Sequence, residues 1–214
     1  MVICHHLEPL SGGMNQIKEK SDVPIKEACV LEALRIASEM GLDSLSLREV
    51  ARRLGVSHQA PYKHYSSREH LLAVLVERCL DEFLLALINR PRSQDPGDDL
   101  AFLGEAYLEF AQDRSLVLRI IFESNLTDNP NWPILKQKTT KVFKELLDAV
   151  RSIRPDLGDV ALEQAALFAW STVHGLAMIR VHNAHQSLGA NVGLNDQETN
   201  RALLQRICSG LAQS

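Results

Sequence analysis

The segment Leu45–Leu72 constrains the fold of this chain more than any other stretch. Ser46 and Glu49 form the Ser-x-x-Glu pattern of a capping box, in which two residues satisfy free N–H groups at a helix start. Gly55 can adopt the positive φ of a tight turn, and Ser57 is placed to cap the helix that follows. Two short helices joined by a glycine turn predict a helix-turn-helix, a motif that reads double-stranded DNA.

The second helix of this motif is expected at about residues 58–65, and it is unusually polar. Its side chains are mostly hydrogen-bonding groups: His58, Gln59, Tyr62, Lys63, His64 and Tyr65. Since a helix so short and polar is marginal by itself, its composition favours contact with phosphates and base edges. Pro61 lacks a backbone N–H, so we expect this helix to begin late or to bend. A second capping box, Ser66–Glu69, is expected to open the next, longer helix.

The charge of this segment agrees with DNA binding. The chain of 214 residues carries a net charge of −4, which by itself does not point to nucleic acid. Residues 46–70, however, hold five basic side chains against two acidic ones and are net positive by three. The basic residues are Arg48, Arg52, Arg53, Lys63 and Arg68. Positive charge concentrated within an acidic protein favours a nucleic-acid contact over an ordinary solvated hairpin.

Composition favours an all-α fold, because glycine and proline are sparse and cluster between stretches rich in helix-forming residues. A first helix is expected to start near Asp22 and Pro24 and to stop at Gly41. We predict an N-terminal three-helix helix-turn-helix domain followed by a larger helical domain. The predicted ranges are 1–20 for a flexible arm, 21–70 for the helix-turn-helix domain and 71–214 for the helical domain.

Two stretches near the C-terminus have the pattern of a subunit interface. The stretch 159–182 is apolar nearly all round, which requires cover on both sides. A final helix over about residues 196–212 presents Leu204, Ile207 and Leu211 on one face. We expect both helices to pair with the same helices of a second subunit in a two-fold, four-helix interface.

Other chemistries find little support in the sequence. No nucleophile motif, phosphate-binding loop or metal-ligand cluster is apparent, so we expect neither an enzyme nor a cofactor. The run Cys4–His6 is too compact to close one tetrahedral metal site. His174, His182 and His185 lack a completing carboxylate or thiol nearby, so no metal site is expected there.

The four cysteines have no CxxC spacing, which favours reduced, mostly buried thiols. A redox-sensing thiol is the alternative, and the neighbouring cation Arg78 makes Cys79 its candidate. No secretory signal or membrane-spanning stretch is apparent. We therefore expect a cytoplasmic location and no membrane partner.

These residues resemble the DNA-binding domain of the TetR family of bacterial transcriptional regulators over about residues 24–72. The matching elements are, in order, Leu45–Ala51, Gly55–Ser57, Tyr62–Tyr65 and Ser67–Leu72. Tyr65 stands where the family more often has phenylalanine, Arg68 where it more often has lysine, and Pro61 is less usual. The stretch Trp170–Gly175 also resembles the Trp-His-Gly signature of one C-terminal branch of that family.

The resemblance implies a DNA-contact surface on the helix-turn-helix. The residues implied to face base edges are His58, Gln59 and Lys63. The residues implied to contact phosphates are Tyr62, His64, Arg48 and Arg68, with Ser46 and Ser57 assisting at helix starts. Tyr65 is expected to pack inward instead.

The family also leads us to expect a pocket for a small, largely apolar effector among the central helices. The candidate lining residues are Phe102, Tyr107, Phe110, Ile121, Phe122, Phe143, Trp170 and His174. Each of these side chains could equally be core, and for Trp170 and His174, one turn apart, packing is the favoured interpretation.

The resemblance thus implies a homodimer bound to a pseudo-palindromic operator, and a repressor that an effector releases. An activator or a redox-responsive regulator on the same scaffold remains an alternative. A helical enzyme carrying an interaction module is the least supported alternative.

Overall fold

A computed structural model describes residues 24–182 and 197–213, and within these ranges the fold is all-helical, which confirms the predicted fold class. The α-helices are α1 (Ile25–Met40), α2 (Leu47–Leu54), α3 (Arg68–Ile88), α4 (Pro96–Asp113), α5 (Ser115–Glu123), α6 (Pro133–Ile153), α7 (Asp159–Val181) and α8 (Gln197–Gln213). Short 3-10 helices cover Leu42–Ser44 and Pro61–Lys63. The predicted arm over residues 1–20 lies outside the described residues, as do Asp22 and His185.

The N-terminal helices pack around one apolar face of α1, which contacts both α2 and α3. On α1 the predicted face is buried at Cys29, Ala33 and Ile36, whereas Met40 at its end is exposed. Pro24 directly precedes the helix and makes no side-chain cap. The three-helix arrangement is therefore stabilised by apolar burial along α1 rather than by a strong N-terminal cap.

Glycine ends both helices at the expected positions. Gly41 follows α1 with φ +83°, and Gly55 follows α2 with φ +66°. A side chain at either position would strain the backbone, because L-residues rarely adopt positive φ. The Gly55 turn brings the Val56 N–H to the Ala51 carbonyl at 3.1 Å, which fixes the corner of the helix-turn-helix.

The helix starts differ from the predicted capping boxes. The Ser46 hydroxyl does accept a hydrogen bond from the Glu49 N–H at 3.1 Å, but the Glu49 carboxylate bonds to Arg52 and Arg53. The predicted reciprocal bond was therefore wrong, because nearby guanidinium groups offer a carboxylate stronger, charge-assisted partners than a backbone N–H.

The second predicted capping box is also replaced by a single cap. The Ser67 hydroxyl accepts from the His70 N–H at 3.1 Å and starts α3. Glu69, the expected reciprocal partner, instead accepts hydrogen bonds from Asn129 and Trp132 in the loop before α6. This carboxylate thus joins the helix-turn-helix to the rest of the protein.

The helical domain is organised around α4, which contacts α6, α7 and α8, while α3 packs along α6. Gly104 allows α4 and α8 to approach closely, since a Cβ at this position would lie 2.4 Å from a methyl carbon of Leu204. The inner face of α7 is buried through residues such as Leu162, Ala169 and Val173. No helix in the described ranges combines the length and apolar character that a membrane crossing needs.

The outer face of α7 exposes large apolar side chains among polar ones such as Gln164 and Ser171. Val160, Leu167 and Phe168 are 73%, 46% and 53% exposed, and Ile179 continues the same side of the helix. A Cβ added at Gly175 would meet no atom within 4 Å. The predicted helix that is apolar nearly all round is therefore half covered by its own chain and half open.

Candidate DNA interface and internal cavity

The recognition segment, His58–His64, is not the regular α-helix expected from the sequence. It consists of a turn followed by the 3-10 helix Pro61–Lys63. In an α-helix the N–H of residue 61 would bond to the Ser57 carbonyl, but proline has no N–H. The Ala60 N–H takes that carbonyl instead, at 2.9 Å, so the segment tightens to the shorter 3-10 spacing. The predicted α-helix over residues 58–65 was wrong for this reason.

Two buried side chains anchor the recognition segment. Pro61 is buried, and Tyr65 is 0% exposed, so its predicted inward packing is confirmed. The Tyr65 hydroxyl donates to the Lys26 carbonyl on α1 at 2.8 Å. Burial raises the pKa of Tyr65 to about 12, so the phenol keeps its proton.

Most of the side chains expected to meet DNA are exposed: Arg48, Ser57, His58, Gln59, Tyr62, Lys63, His64 and Arg68. Ser46 is half-buried, and its hydroxyl caps α2. Tyr62 is 46% exposed, in contrast to the fully buried Tyr65 three residues later. A short segment therefore presents a continuous set of polar groups on one exposed surface while its apolar residues hold it to the domain.

Part of the positive charge of the helix-turn-helix is neutralised by carboxylates of the protein itself. Arg52 and Arg53 bind Glu49 through hydrogen bonds of 2.6–2.9 Å, and Arg53 also pairs with Glu39 at 2.6 Å. The hydrogen bonds from Arg52 and Arg53 lower the pKa of Glu49 to about 2. Among the described residues Arg48 has no such partner, and its exposed guanidinium is available to a phosphate.

Arg68 holds the helix-turn-helix together from the start of α3. Its guanidinium donates to the carbonyls of Leu45 and Leu42, each at 2.8 Å. Both carbonyls belong to the connection between α1 and α2, so this side chain fixes α2 relative to α3. The sequence resemblance implied a phosphate contact for Arg68, and it gave no sign of this bracing role.

A cavity of about 380 Å³, partly open to solvent, lies within the helical domain. Of the predicted lining residues, the structure places Tyr107, Ile121, Phe122, Phe143 and Trp170 at its wall. Phe102 and Phe110 lie outside it, beside a separate, more polar cleft near Arg114. Further lining comes from Leu80 and Phe83 on α3 and from Leu204 on α8. The expectation that Leu204, Ile207 and Leu211 face a second subunit was wrong, because all three side chains are buried within their own chain.

Aromatic side chains and His174 form a cluster at one side of the cavity. The Tyr107 hydroxyl and His174 Nδ1 are 2.6 Å apart, within hydrogen-bond distance. The rings of Phe122 and Trp170 lie 4.7 and 5.7 Å from the His174 ring. Aromatic rings therefore flank this hydrogen-bonded pair.

Burial keeps this cluster uncharged. It raises the pKa of Tyr107 well above its usual range and lowers the pKa of His174. His174 is therefore neutral at pH 7, and in the tautomer with its proton on Nε2 it accepts a hydrogen bond from the Tyr107 hydroxyl. The predicted His174 candidate does not line the cavity itself but supports Tyr107, which does.

We expect the lowered pKa of His174 to make folding stability depend on pH. Between the ordinary value of 6.5 and the lower folded value, the unfolded chain binds the proton more readily, so stability falls as pH decreases through this window. Chemical unfolding at about pH 8 and about pH 5 should show this loss, and His174→Asn should reduce it because Asn cannot titrate. An equal loss in the variant would contradict the assignment.

Two contacts connect the cavity region with the helix-turn-helix. The Trp132 ring stacks on His70 at a centroid distance of 5.3 Å, and its indole N–H donates to Glu69 at 3.3 Å. On α5, which lines the cavity through Ile121, Arg119 donates to the Ala37 carbonyl near the end of α1 at 3.2 Å. A change in the cavity wall can therefore reach both α1 and α3.

The chain is similar to known proteins along both of its domains. Residues 30–75 match the family model described as bacterial regulatory proteins of the tetR family. Residues 100–196 match the model described as the tetracyclin repressor-like C-terminal domain. Together the two models cover more than half of the chain, with the DNA-binding domain and the helical domain in the order that the structure shows. The chain belongs to the TetR family, a family of DNA-binding transcriptional regulators.

Individual relatives agree with this assignment. Tetracycline repressor protein class C from Escherichia coli is 34% identical over 74 residues, which are 35% of this chain and 31% of that protein. Across the curated relatives that it matches, the chain spans 31%, 47%, 52% and 63% of their length. The matched C-terminal model does not assign the Trp-His-Gly branch, which stays a prediction.

Solved structures share the whole fold. A protein of unknown function from Rhodococcus sp. RHA1 superposes with a TM-score of 0.72 at 24% identity, over 92% of this chain and 100% of that one. BioQ, solved with its double-stranded DNA operator, gives a TM-score of 0.59 at 18% identity, over 88% and 98% of the two chains. At such identities the likeness concerns the fold.

Proposed function

We propose that this protein is a homodimeric transcriptional regulator that binds a pseudo-palindromic operator and releases it when a small, largely apolar effector enters the internal cavity. The observation that carries the proposal is the exposed polar surface of the recognition segment, braced within a TetR-type helix-turn-helix. We place its action in the cytoplasm, with the DNA that it reads.

DNA recognition in this proposal divides between base edges and phosphates. His58, Gln59 and Lys63 face the bases in the major groove, while Tyr62, His64 and Arg48 position the domain on phosphates. Ser46 and Ser57 assist at their helix starts. Arg68 contributes mainly by bracing α2, since its guanidinium already donates to two carbonyls. The fold shared with BioQ, a protein solved on its operator, supports this orientation.

Dimerisation through α7 is supported by the exposed apolar side chains on its outer face, and α8 can take part only through a side other than its buried Leu204–Leu211 face. Leu167 and Phe168 are about half exposed, and Gly175 leaves room for a close helix approach. A second copy of the same face would cover these side chains from water, which favours association. Two recognition segments could then enter successive major-groove turns, roughly 34–36 Å apart.

Effector control is supported by the position of the cavity. Its wall includes Ile121 on α5 and Asp128 in the loop before α6. The same two elements contact the helix-turn-helix, α5 through Arg119 and the loop through Trp132. A ligand that fits only one arrangement of these elements shifts the protein toward it, and the two arrangements need different spacings of the recognition segments. Loss of operator binding follows if the ligand-bound spacing no longer matches the DNA.

The redox-responsive alternative is disfavoured by the described thiols. Cys29 and Cys79 are buried, and burial raises the pKa of Cys29 and raises that of Cys208 to about 11. A sensing cysteine needs an accessible thiolate, which these environments oppose. An activator would bind DNA through the same surfaces but would raise transcription instead of lowering it. Expression of a reporter gene placed downstream of the operator distinguishes an activator from a repressor.

Removing the exposed guanidinium of Arg48 should weaken binding to all DNA sequences alike. In Arg48→Ala we expect operator affinity to fall and the slope of log K against log salt to become shallower by about 0.9, the value for one lost phosphate contact. Mobility-shift titrations at several salt concentrations measure both quantities on DNA fragments selected from a random pool.

Lys144→Ala is the matched control for this change. It also removes one exposed cation, but from α6, where Lys144 pairs with Asp148 on the surface. We expect its operator affinity and salt slope to match those of the wild type. An unchanged affinity for Arg48→Ala, or an equal loss in Lys144→Ala, would refute the proposed phosphate contact.

A further inference from the structure

The lining of the cavity restricts the charge of its ligand. The described lining residues come from α3 to α8 and the loop before α6, and they include no lysine, arginine or histidine. Arg90 and Arg180, the guanidiniums buried in the described part of the chain, are not among them. Arg90 is moreover paired with Asp99 and Glu145 at 3.2 Å. An anion in the cavity would therefore be desolvated without a lining counter-ion, which is strongly unfavourable.

The polar groups of the wall are largely engaged with the protein itself. The Thr139 hydroxyl donates to the Lys136 carbonyl at 2.9 Å, and the Cys208 thiol donates to the Gly97 carbonyl at 3.4 Å. The Tyr107 hydroxyl lies within hydrogen-bond distance of His174 Nδ1. A ligand thus meets few free hydrogen-bond donors, so affinity must come mainly from apolar and aromatic contact.

The one lining residue with a full charge is Asp128, within the described residues, and it lies at the exposed rim. Its carboxylate is 87% exposed and 3.5 Å from Lys136. Solvation and the pairing with Lys136 make it a weak counter-ion for a ligand cation and leave it only weakly repulsive toward an anion. The selection against anions therefore rests on the uncharged wall of the cavity rather than on its rim.

We propose that the cavity binds an uncharged, largely apolar molecule and rejects carboxylates of the same size and shape. This inference specifies the effector class of the proposed function and rests on it. The phenyl, indole and phenol rings of Phe122, Trp170 and Tyr107 form an aromatic side of the wall, and Leu80, Val142 and Leu204 an aliphatic one. The cavity volume of about 380 Å³ suits a small organic molecule.

The test uses two carbon skeletons, decyl and naphthylmethyl, each as a primary alcohol, a carboxylate and an ammonium ion. Binding to the DNA-free full-length protein is measured by calorimetry at neutral pH. We expect the alcohol to bind at least about tenfold more tightly than the carboxylate for one or both skeletons, because only the carboxylate must bury a charge. Tighter or equal binding of the carboxylate, tighter binding of the ammonium ion, or no saturable binding by any compound would overturn the proposal.

A lysine introduced into the cavity wall and a lysine introduced next to it in sequence make a matched pair of variants. Thr139 lines the cavity, whereas its neighbour Thr140 on α6 is exposed and does not line it. In Thr139→Lys we expect the preference to shift toward the carboxylate by about tenfold or more, and in Thr140→Lys to stay as in the wild type. Circular dichroism confirms that both variants fold. An equal shift in the two variants, or none in Thr139→Lys, would overturn the assignment of ligand charge to this cavity.

Operator release is measured separately, so that the two proposals can fail independently. An alcohol that binds with the expected selectivity but leaves the operator complex intact supports the cavity's ligand class and contradicts effector control. Release by a carboxylate that binds as tightly as the alcohol supports effector control and contradicts the ligand class.

Discussion

Phe168→Asp should dissociate the dimer and lower operator affinity by about two to four orders of magnitude, the range in which linking two binding modules usually raises affinity. Phe168 is 53% exposed on the outer face of α7, where we propose the second subunit packs. A carboxylate there would be buried without a partner, which costs more than the apolar contact contributes. Sedimentation equilibrium reports the dissociation, and mobility shift reports the loss of two-headed binding.

Leu85→Asp is the control for that substitution. Leu85 is 57% exposed, so an apolar side chain of similar exposure is again replaced by aspartate, but on α3 rather than on α7. We expect this variant to stay dimeric and to bind the operator normally. A dimeric Phe168→Asp, or dissociation of both variants, would show that the α7 face is not the subunit interface.

Tyr65→Ala should destabilise the protein by about 3–5 kcal/mol, because it removes a fully buried aromatic ring from the base of the recognition segment. Tyr65→Phe keeps the ring but removes its hydrogen bond to the Lys26 carbonyl, so we expect a smaller loss of about 0.5–1.5 kcal/mol. Denaturant unfolding measures both changes in the free energy of unfolding.

Tyr62→Ala separates stability from DNA contact. Tyr62 is close to Tyr65 in sequence but 46% exposed, so its loss should change the free energy of unfolding by no more than about 0.5 kcal/mol. Its operator affinity should nevertheless fall, since we propose a phosphate contact for its hydroxyl. A large destabilisation by Tyr62→Ala, or none by Tyr65→Ala, would reverse the assigned roles of the two tyrosines.

Helix ends and helix faces were predictable because their signals are local. Gly41 and Gly55 end helices by a property of their own backbone, and the burial of Ala33 and Ile36 follows from a three- and four-residue spacing. The inward packing of Tyr65 was predictable for the same reason, since it follows the polar residues of the recognition segment directly. Such features need no knowledge of distant partners.

Hydrogen-bond partners were less predictable, because each group has several competing options. Glu49 could bond to a backbone N–H, as the capping-box pattern predicts, but two guanidiniums on the next turn of the same helix attract it more strongly. Glu69 bonds to Trp132, which lies far away in sequence. The bracing of α2 by Arg68 depends in the same way on carbonyls that only the folded chain brings near.

The lining of the cavity was also hard to predict from the sequence, because it depends on how distant elements pack. Phe110 and Phe122 are both apolar residues on amphipathic helices, yet Phe122 lies at the cavity wall and Phe110 outside it. Leu204 lines the cavity because Gly104 lets α8 come close to α4, a relation between two distant positions. Residue type and periodicity indicate burial, but they do not tell a filled core from an empty space.

Pro61 bears on the entropy of operator binding. Its ring fixes one backbone angle in the middle of the recognition segment, and its burial fixes the ring against the domain. A segment restrained in this way has few conformations to lose when it enters a groove, so less of the binding free energy is spent on ordering it. The residue that prevents a regular helix thus prepares the reading surface in advance, and Pro61→Ala would restore the missing N–H at the expense of that preorganisation.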